Sequence, residues 1–259
     1  MDISSYLKLV ASPVALVTGA NKGIGLEISR ELAQAGIFVW MAGRDLRRIE
    51  DATMPFKKAG LSVASVALDV TDPKSIEAAA RQVQEISGVL DILVNNAGIA
   101  GEHRQNEAGE LALIPPSDLD LEMVRRTYET NVYGVFSVTK AFLPLVRKSR
   151  AGRIVNMSSG LGSLALRSDP DGPYARYNAL AYCSSKSAVN GVTVAFANEL
   201  RKTPIKVNAA DPGYCATDLN GHSGPRTAAQ GAEIAVRLAT LAADGPTCGY
   251  FDEKGAVPW

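Results

Sequence analysis

Tyr182-Cys-Ser-Ser-Lys186 sets a phenol and an ammonium four residues apart, and positions i and i+4 share one face of a helix. At its ordinary pKa of about 10 a tyrosine is a poor base at neutral pH. A neighbouring cation favours the phenolate and brings the side chain toward acid–base service. Chance supplies the same spacing on an ordinary helix surface, so the pair takes its weight from what precedes it. Ser158-Ser159 closes an apolar run. A hydroxyl there can donate to a substrate carbonyl oxygen while Tyr182 gives or takes the proton. The plainer reading is a side-chain turn that caps a strand end. With hydride arriving from one side and a proton from the other, such a set reduces a carbonyl without a metal.

The hydride needs a carrier, and the N-terminal region offers a place for one. Val14–Val17 runs into Thr18-Gly-Ala-Asn-Lys-Gly-Ile-Gly25, after which a helical pattern begins at once. Glycines at 19, 23 and 25 let the backbone turn sharply beside a pyrophosphate at the helix N-terminus, with Asn21, Lys22 and Ile24 between them. The spacing is GxxxGxG instead of GxGxxG, and alone it is also what a tight strand–helix connection needs. The next strand exits as Met41-Ala42-Gly43-Arg44. An NAD enzyme usually carries an acid there for the ribose 2′-hydroxyl. A guanidinium suits a 2′-phosphate, and Lys22 adds a second positive charge, so NADP(H) is the expected cofactor. Asp45 runs against this, because turned inward it would repel a phosphate. Asp69-Val70 suits an adenine contact. In Asn95-Asn96-Ala97-Gly98, buried amides need partners. One asparagine is expected to tie strand ends together and the other to touch the cofactor.

These groups need a scaffold that brings strand ends together. Short apolar runs at Val14–Thr18, Ile37–Ala42, Ser62–Leu68, Ile92–Asn95, Arg153–Met157, Ile205–Ala209 and Gly249–Phe251 alternate with helical patterns. The latter cover Ile24–Ala35, Leu46–Ala59, Pro73–Ile86, Asp118–Arg147, Ala181–Arg201 and Thr227–Ala242. Strands that are apolar on both faces imply helices on both sides of a sheet. Repeated βα units imply right-handed crossovers and a doubly wound parallel sheet, an α/β Rossmann-type single domain over residues 1–259. Two polar stretches, Gly101–Ser117 and Gly160–Asn178, follow strand ends, where ligands bind in such sheets. His103 on the first could face a pocket, although a lone loop histidine is usually solvated. The Asn220–Gly224 run suggests a lid by composition.

Composition closes off other classes. Lys plus Arg (27) balances Asp plus Glu (27), so neither nucleic acid nor an anionic membrane is an expected partner. No apolar stretch approaches the roughly 18 residues of a spanning helix. The opening residues lack the basic start and unbroken apolar run of a signal peptide, so a soluble, cytoplasmic protein is expected. Cys183, Cys215 and Cys248 show no metal-ligand spacing and read as reduced side chains.

TGANKGIG, NNAG, Asn131 in Asn-Val-Tyr-Gly, the Ser-Ser pair, YxxxK and Asp-Pro-Gly213 occur in one order from about Val14 to Asp218. That combination resembles the short-chain dehydrogenase/reductase family. Gly-Ala-Asn-Lys-Gly, the extended Ser-to-Tyr segment and the ending Gly-Tyr-Phe-Asp-Glu-Lys…Trp259 look most like its NADPH-dependent carbonyl reductase branch. The resemblance implies that Tyr182 is the acid in reduction and the base in oxidation. Lys186 would hold the nicotinamide ribose and lower the phenol's pKa, and Ser159 would orient the carbonyl, with Ser158 as the substitute. It also implies an Asn131 that anchors a relay water beside Lys186. Pro212, Gly213 and Thr217 would then contact the nicotinamide half, its amide lying near the Tyr214–Leu219 backbone. The function expected is NADPH-dependent reduction of a ketone or aldehyde. Oxidation of a steroid, terpenoid or sugar alcohol is the alternative, and an NADP-sensing protein without turnover is disfavoured by the retained Ser159, Tyr182, Lys186 and Asn131. Ile99, Leu161, Leu164, Leu166 and Leu219 favour a hydrophobic substrate. A homo-oligomer is compatible with the sequence, and the long Gly160–Ala181 segment leaves its geometry open.

Overall fold

The computed structural model describes residues 12–105 and 111–259. Seven strands form one parallel sheet: β1 (Val14–Thr18), β2 (Phe38–Gly43), β3 (Val63–Ala67), β4 (Ile92–Asn95), β7 (Arg153–Met157), β8 (Lys206–Ala210) and β9 (Tyr250–Phe251). Their order is β3-β2-β1-β4-β7-β8-β9. The chain leaves β3 at one edge and re-enters beside β1 as β4, so the strand order reverses between β1 and β4 and opens a crevice at their carboxyl ends. A separate antiparallel hairpin, β5 (His103–Gln105) with β6 (Leu111–Leu113), rises from the stretch after β4.

Strand residues alternate between two cores. Val14, Leu16, Phe38 and Trp40 face α3 (Pro73–Ser87), α5 (Gly134–Val146) and α7 (Leu180–Glu199) through Val83, Phe142 and Phe196. Ala15, Val17, Val39 and Met41 face α1 (Gly23–Gln34), α2 (Leu46–Lys58) and α8 (Ala228–Ala239) through Ile28, Phe56 and Leu238. Burial on both faces explains why these strands read as unbroken apolar runs. Strand bounds lie within a residue of the expected ones, and α8 ends at Ala239, three residues before the expected Ala242. β2 ends at Gly43 instead of Ala42 because Gly43 still pairs with Ala67 of β3.

One polar chain crosses the first core. Asn95 and Asn156 are register partners on β4 and β7. The Asn95 amide donates to Asn156 Oδ1 at 2.8 Å and Thr139 Oγ1 at 2.9 Å, and the Asn156 amide donates to Thr193 Oγ1 at 2.9 Å. All four residues are buried.

Three expectations need correction. The single helix over Asp118–Arg147 is three pieces: α4 (Leu121–Tyr128), a π-helical turn over Glu129–Tyr133, and α5. The apolar period runs on through the wider turn, so periodicity alone does not show it. Gly101–Ser117 contains the hairpin, and Gly160–Asn178 contains a 3₁₀ turn and the short α6 (Leu164–Ser168). The Asn220–Gly224 run is a bonded turn, with the Asn220 amide donating to the Cys215 carbonyl at 2.8 Å and Ser223 Oγ to that of Asn220 at 2.7 Å. The opening residues and the His103 side chain lie outside what the structure describes.

Among the described residues, no helix is long and apolar enough to cross a membrane. Nor do three or more His, Cys, Asp or Glu side chains gather there as metal ligands.

Candidate active site

A cleft of about 660 Å³ opens at the carboxyl ends of β1, β2, β3 and β4. Its floor is the glycine loop. Gly19 and Gly23 hold φ of +65° and +57°, values that L side chains resist. A Cβ on Gly25 would fall 2.5 Å from the Gly19 carbonyl oxygen, which is why the first turn of α1 needs glycine there. α2, α3, α4, α6 and α8 begin on Asp45, Asp72, Asp120, Ser163 and Thr227, whose side chains accept from first-turn amides. α1 begins on Lys22, which makes no such bond, and carries no acid in its first turn. Its open amides and positive end therefore face the cleft, as an anion requires.

Gly19, Asn21, Lys22, Gly23, Ile24, Gly25, Arg44, Asp69, Val70, Ala97, Gly98, Tyr182, Lys186, Pro212 and Thr217 all line this cleft. Among the expected cofactor-binding residues two do not, and of the expected catalytic set Ser159 and Asn131 are not among its lining residues either. Asn95 belongs to the polar chain in the first core, and Asn96 takes its place at the cleft while its amide donates to the Thr18 carbonyl at 2.9 Å. Both asparagines thus tie strand ends. Gly213 is turned toward Arg226, and its amide donates to Asp211 at 2.9 Å. Asp45 is held at its helix cap by the Arg48 amide at 3.1 Å. Lys22 pairs with Asp218 across the cleft, and Asp218 also meets His222 Nε2 at 2.8 Å. Arg44 is exposed and makes no ion pair among the described residues. This donor set fits a dinucleotide: open helix amides for a pyrophosphate and an unpaired guanidinium beside the second strand.

At the other end of the cleft stand the reacting groups. The Tyr182 phenol, half-buried, stands beside the Ser159 side chain. Ser158 lines the cleft but its hydroxyl donates to Asn190 Oδ1 at 2.7 Å, while the Ser159 hydroxyl accepts from the Leu161 amide at 3.3 Å. Lys186 is 6% exposed; its Nζ donates to the Met157 carbonyl at 2.8 Å and lies 5.6 Å from the centroid of the Tyr182 ring. Burial raises the Tyr182 phenol above its ordinary range, the Ser159 side chain opposes this, and the Asp211 carboxylate reinforces it. The phenol therefore stays protonated at neutral pH. Burial likewise draws Lys186 down to about 8, with Asp211 working against it.

Asn131 sits in the π-helical turn. Its Oδ1 accepts from the Ile99 amide at 2.8 Å, and its Nδ2 donates to the Ile99 carbonyl at 2.9 Å and Ser185 Oγ at 3.0 Å. Both of its amide hydrogens go to protein groups, so the side chain pins a loop. Gly98 separates it from Lys186: a Cβ there would meet Asn131 Oδ1 at 3.4 Å and Lys186 Nζ at 3.6 Å. Sequence reading missed Asp211 and Tyr250, whose hydroxyl donates to the Ser159 carbonyl. It also missed Glu102, the acid next to the glycine that opens the irregular stretch after β4.

Comparison with known proteins agrees with this layout. The short chain dehydrogenase family model matches residues 13–228. Short-chain dehydrogenase anuI of Penicillium roqueforti is 37% identical over 237 residues, covering 89% of this chain and 90% of that protein. Among solved structures, salutaridine reductase from Papaver somniferum superposes with a TM-score of 0.78 at 31% identity, over 93% of this chain and 99% of the other. The NADPH-bound carbonyl reductase from chicken fatty liver gives 0.80 at 28%, over 96% and 99%. Sequence, strand order and site therefore converge: the chain belongs to the short-chain dehydrogenase family and is an oxidoreductase acting on carbonyl or alcohol groups.

Proposed function

We propose that the protein reduces a hydrophobic ketone or aldehyde to an alcohol with NADPH. The observation that carries this is the Tyr182 phenol standing beside Ser159 and the Lys186 ammonium in a cleft that is also lined by Arg44. A protonated phenol is ready for reduction, whereas oxidation needs it as phenolate. Ser159 orients the carbonyl oxygen by a hydrogen bond, and Tyr182 delivers its proton to that oxygen. Lys186 holds a positive charge beside the phenol and the ribose position, and Asn131 fixes the Ile99 loop against the same helix. When bound, the nicotinamide supplies hydride to the carbonyl carbon. Gly19 to Gly25 with the α1 amides would hold the pyrophosphate, Asp69 and Val70 the adenine, and Arg44 the 2′-phosphate, with Lys22 paired to Asp218 beside it. Ile99 and Leu219, both at the cleft and more than a third exposed, favour an apolar substrate.

A panel of hydrophobic ketones and aldehydes, assayed with NADPH and NADH and against the matching alcohols with NADP⁺ and NAD⁺, tests this reading. Reduction with NADPH is expected to be the fastest at pH 7. A protein faster as an NAD⁺-linked alcohol oxidant at that pH would refute the proposal.

The pH dependence follows from Lys186. Its ammonium is charged below about 8 and lost above it, while the phenol stays protonated throughout. Hence kcat/KM for reduction is expected to be level up to about pH 8 and then to fall about tenfold per unit. A profile flat to pH 10 would remove Lys186's charge from the mechanism.

A further inference from the structure

Glu102 is a carboxylate only 2% exposed, and among the described residues no cation pairs with it. Its partners are two successive amides: Oε2 accepts from Ala181 N at 2.9 Å, and Oε1 accepts from Tyr182 N. These are the second and third residues of α7, the positions an N-cap side chain normally satisfies. The residue at the N-cap is Ala179, which has nothing to offer, and it is itself buried. A full charge therefore reaches in from the loop after β4, some eighty residues upstream, to cap the helix that carries Tyr182 and Lys186. The positive end of α7 and two charge-assisted hydrogen bonds compensate its burial.

The same loop is held at its other end by Asn131, through both the amide and the carbonyl of Ile99. Glu102 is further fixed by its own carbonyl, which accepts from Ile114 N at 2.9 Å. Ile99 to Glu102 is thus a four-residue tie between the π-helical turn and the first turn of α7.

We propose that Glu102 is a positioning residue for proton transfer: by holding the amide of Tyr182 itself, it sets where the phenol stands relative to Ser159. This rests on the acid role given to Tyr182 above. A cap that only stabilised the fold would spread its loss over folding and cofactor binding alike. Loss of this one is expected to fall on the chemical step, because an error of about 1 Å at the reacting group can cost on the order of a hundredfold in rate.

The test uses the whole protein, with Glu102→Gln and Glu102→Ala. Glutamine keeps one acceptor but sets an amide donor against the second N–H. Expected are a kcat about tenfold lower for Glu102→Gln and about a hundredfold lower for Glu102→Ala, with dinucleotide Kd within about threefold of the parent. Amide hydrogen exchange is expected to quicken at Ala181 and Tyr182 in both variants. If Glu102→Ala does not fold, Glu102→Gln decides. The proposal is overturned if Glu102→Gln keeps kcat within twofold of the parent, if its exchange is unchanged, or if Kd rises in step with the fall in kcat. Each ratio is taken in whichever direction and with whichever cofactor the parent works best. That preference judges the NADPH-reductase reading separately from the role of Glu102.

Discussion

Replacing Tyr182 by phenylalanine is expected to lower kcat for carbonyl reduction about a thousandfold while NADPH affinity stays within about threefold of the parent. The ring is retained, so its packing and its contact with the Lys186 ammonium persist. What disappears is the hydroxyl that meets Ser159 at the end of the cleft. Ser159 is not expected to substitute, because in the proposed reaction its hydroxyl orients the carbonyl, and it also accepts from the Leu161 amide at 3.3 Å. Steady-state rates with cofactor binding followed separately by fluorescence distinguish the two effects. A phenylalanine variant that keeps more than about a tenth of the activity would remove Tyr182 from proton transfer.

Arg44→Asp is expected to weaken NADPH binding by about ten- to a hundredfold and to leave NADH binding equal or tighter. Arg44 stands just beyond Gly43 at the end of β2 and lines the cleft. The other bases there are already engaged, Lys22 by Asp218 and Arg48 by Asp45 at 3.5 Å. That leaves Arg44 to meet a phosphate, and it bars Asp45, committed to its helix, from taking the ribose. The aspartate inverts the sign: it repels a 2′-phosphate and can accept from a 2′-hydroxyl. Titration of both cofactors against both proteins reads this directly. Equal affinity of the parent for NADH and NADPH would end the phosphate-clamp argument.

The parts of this molecule that local sequence can disclose are those whose physics is local. β1, β4 and β7 are legible to the residue because each is a short apolar run cut off by glycine, asparagine or serine at the point where the cleft begins. The α1 loop is legible because its glycines have no other residue that fits. The π-helical turn is not, since an inserted residue leaves the apolar pattern of its neighbours intact. Asn95 reads as a cleft residue because NNAG as a string does not say which amide faces which layer. That is decided by strand alternation against α5, visible only once Thr139 and Asn156 are in place. Glu102 escapes sequence reading for a similar reason. A carboxylate in a polar loop looks solvated until the helix it caps arrives from far along the chain.

The Asn95–Asn156–Thr193 chain has a consequence for how the sheet assembles. β4 must find β1 and β7, each far away in sequence, and apolar runs on both faces would slide past one another with little penalty. A one-residue offset between β4 and β7 would separate two amides that bond at 2.8 Å and strand them among leucines and valines. Most of the cost falls on the misaligned sheet, since in the aligned one only Asn95 Oδ1 of these two amides lacks a partner. These side chains thus act as an index mark for strand alignment, and they make the crevice between β1 and β4 reproducible before any ligand enters it.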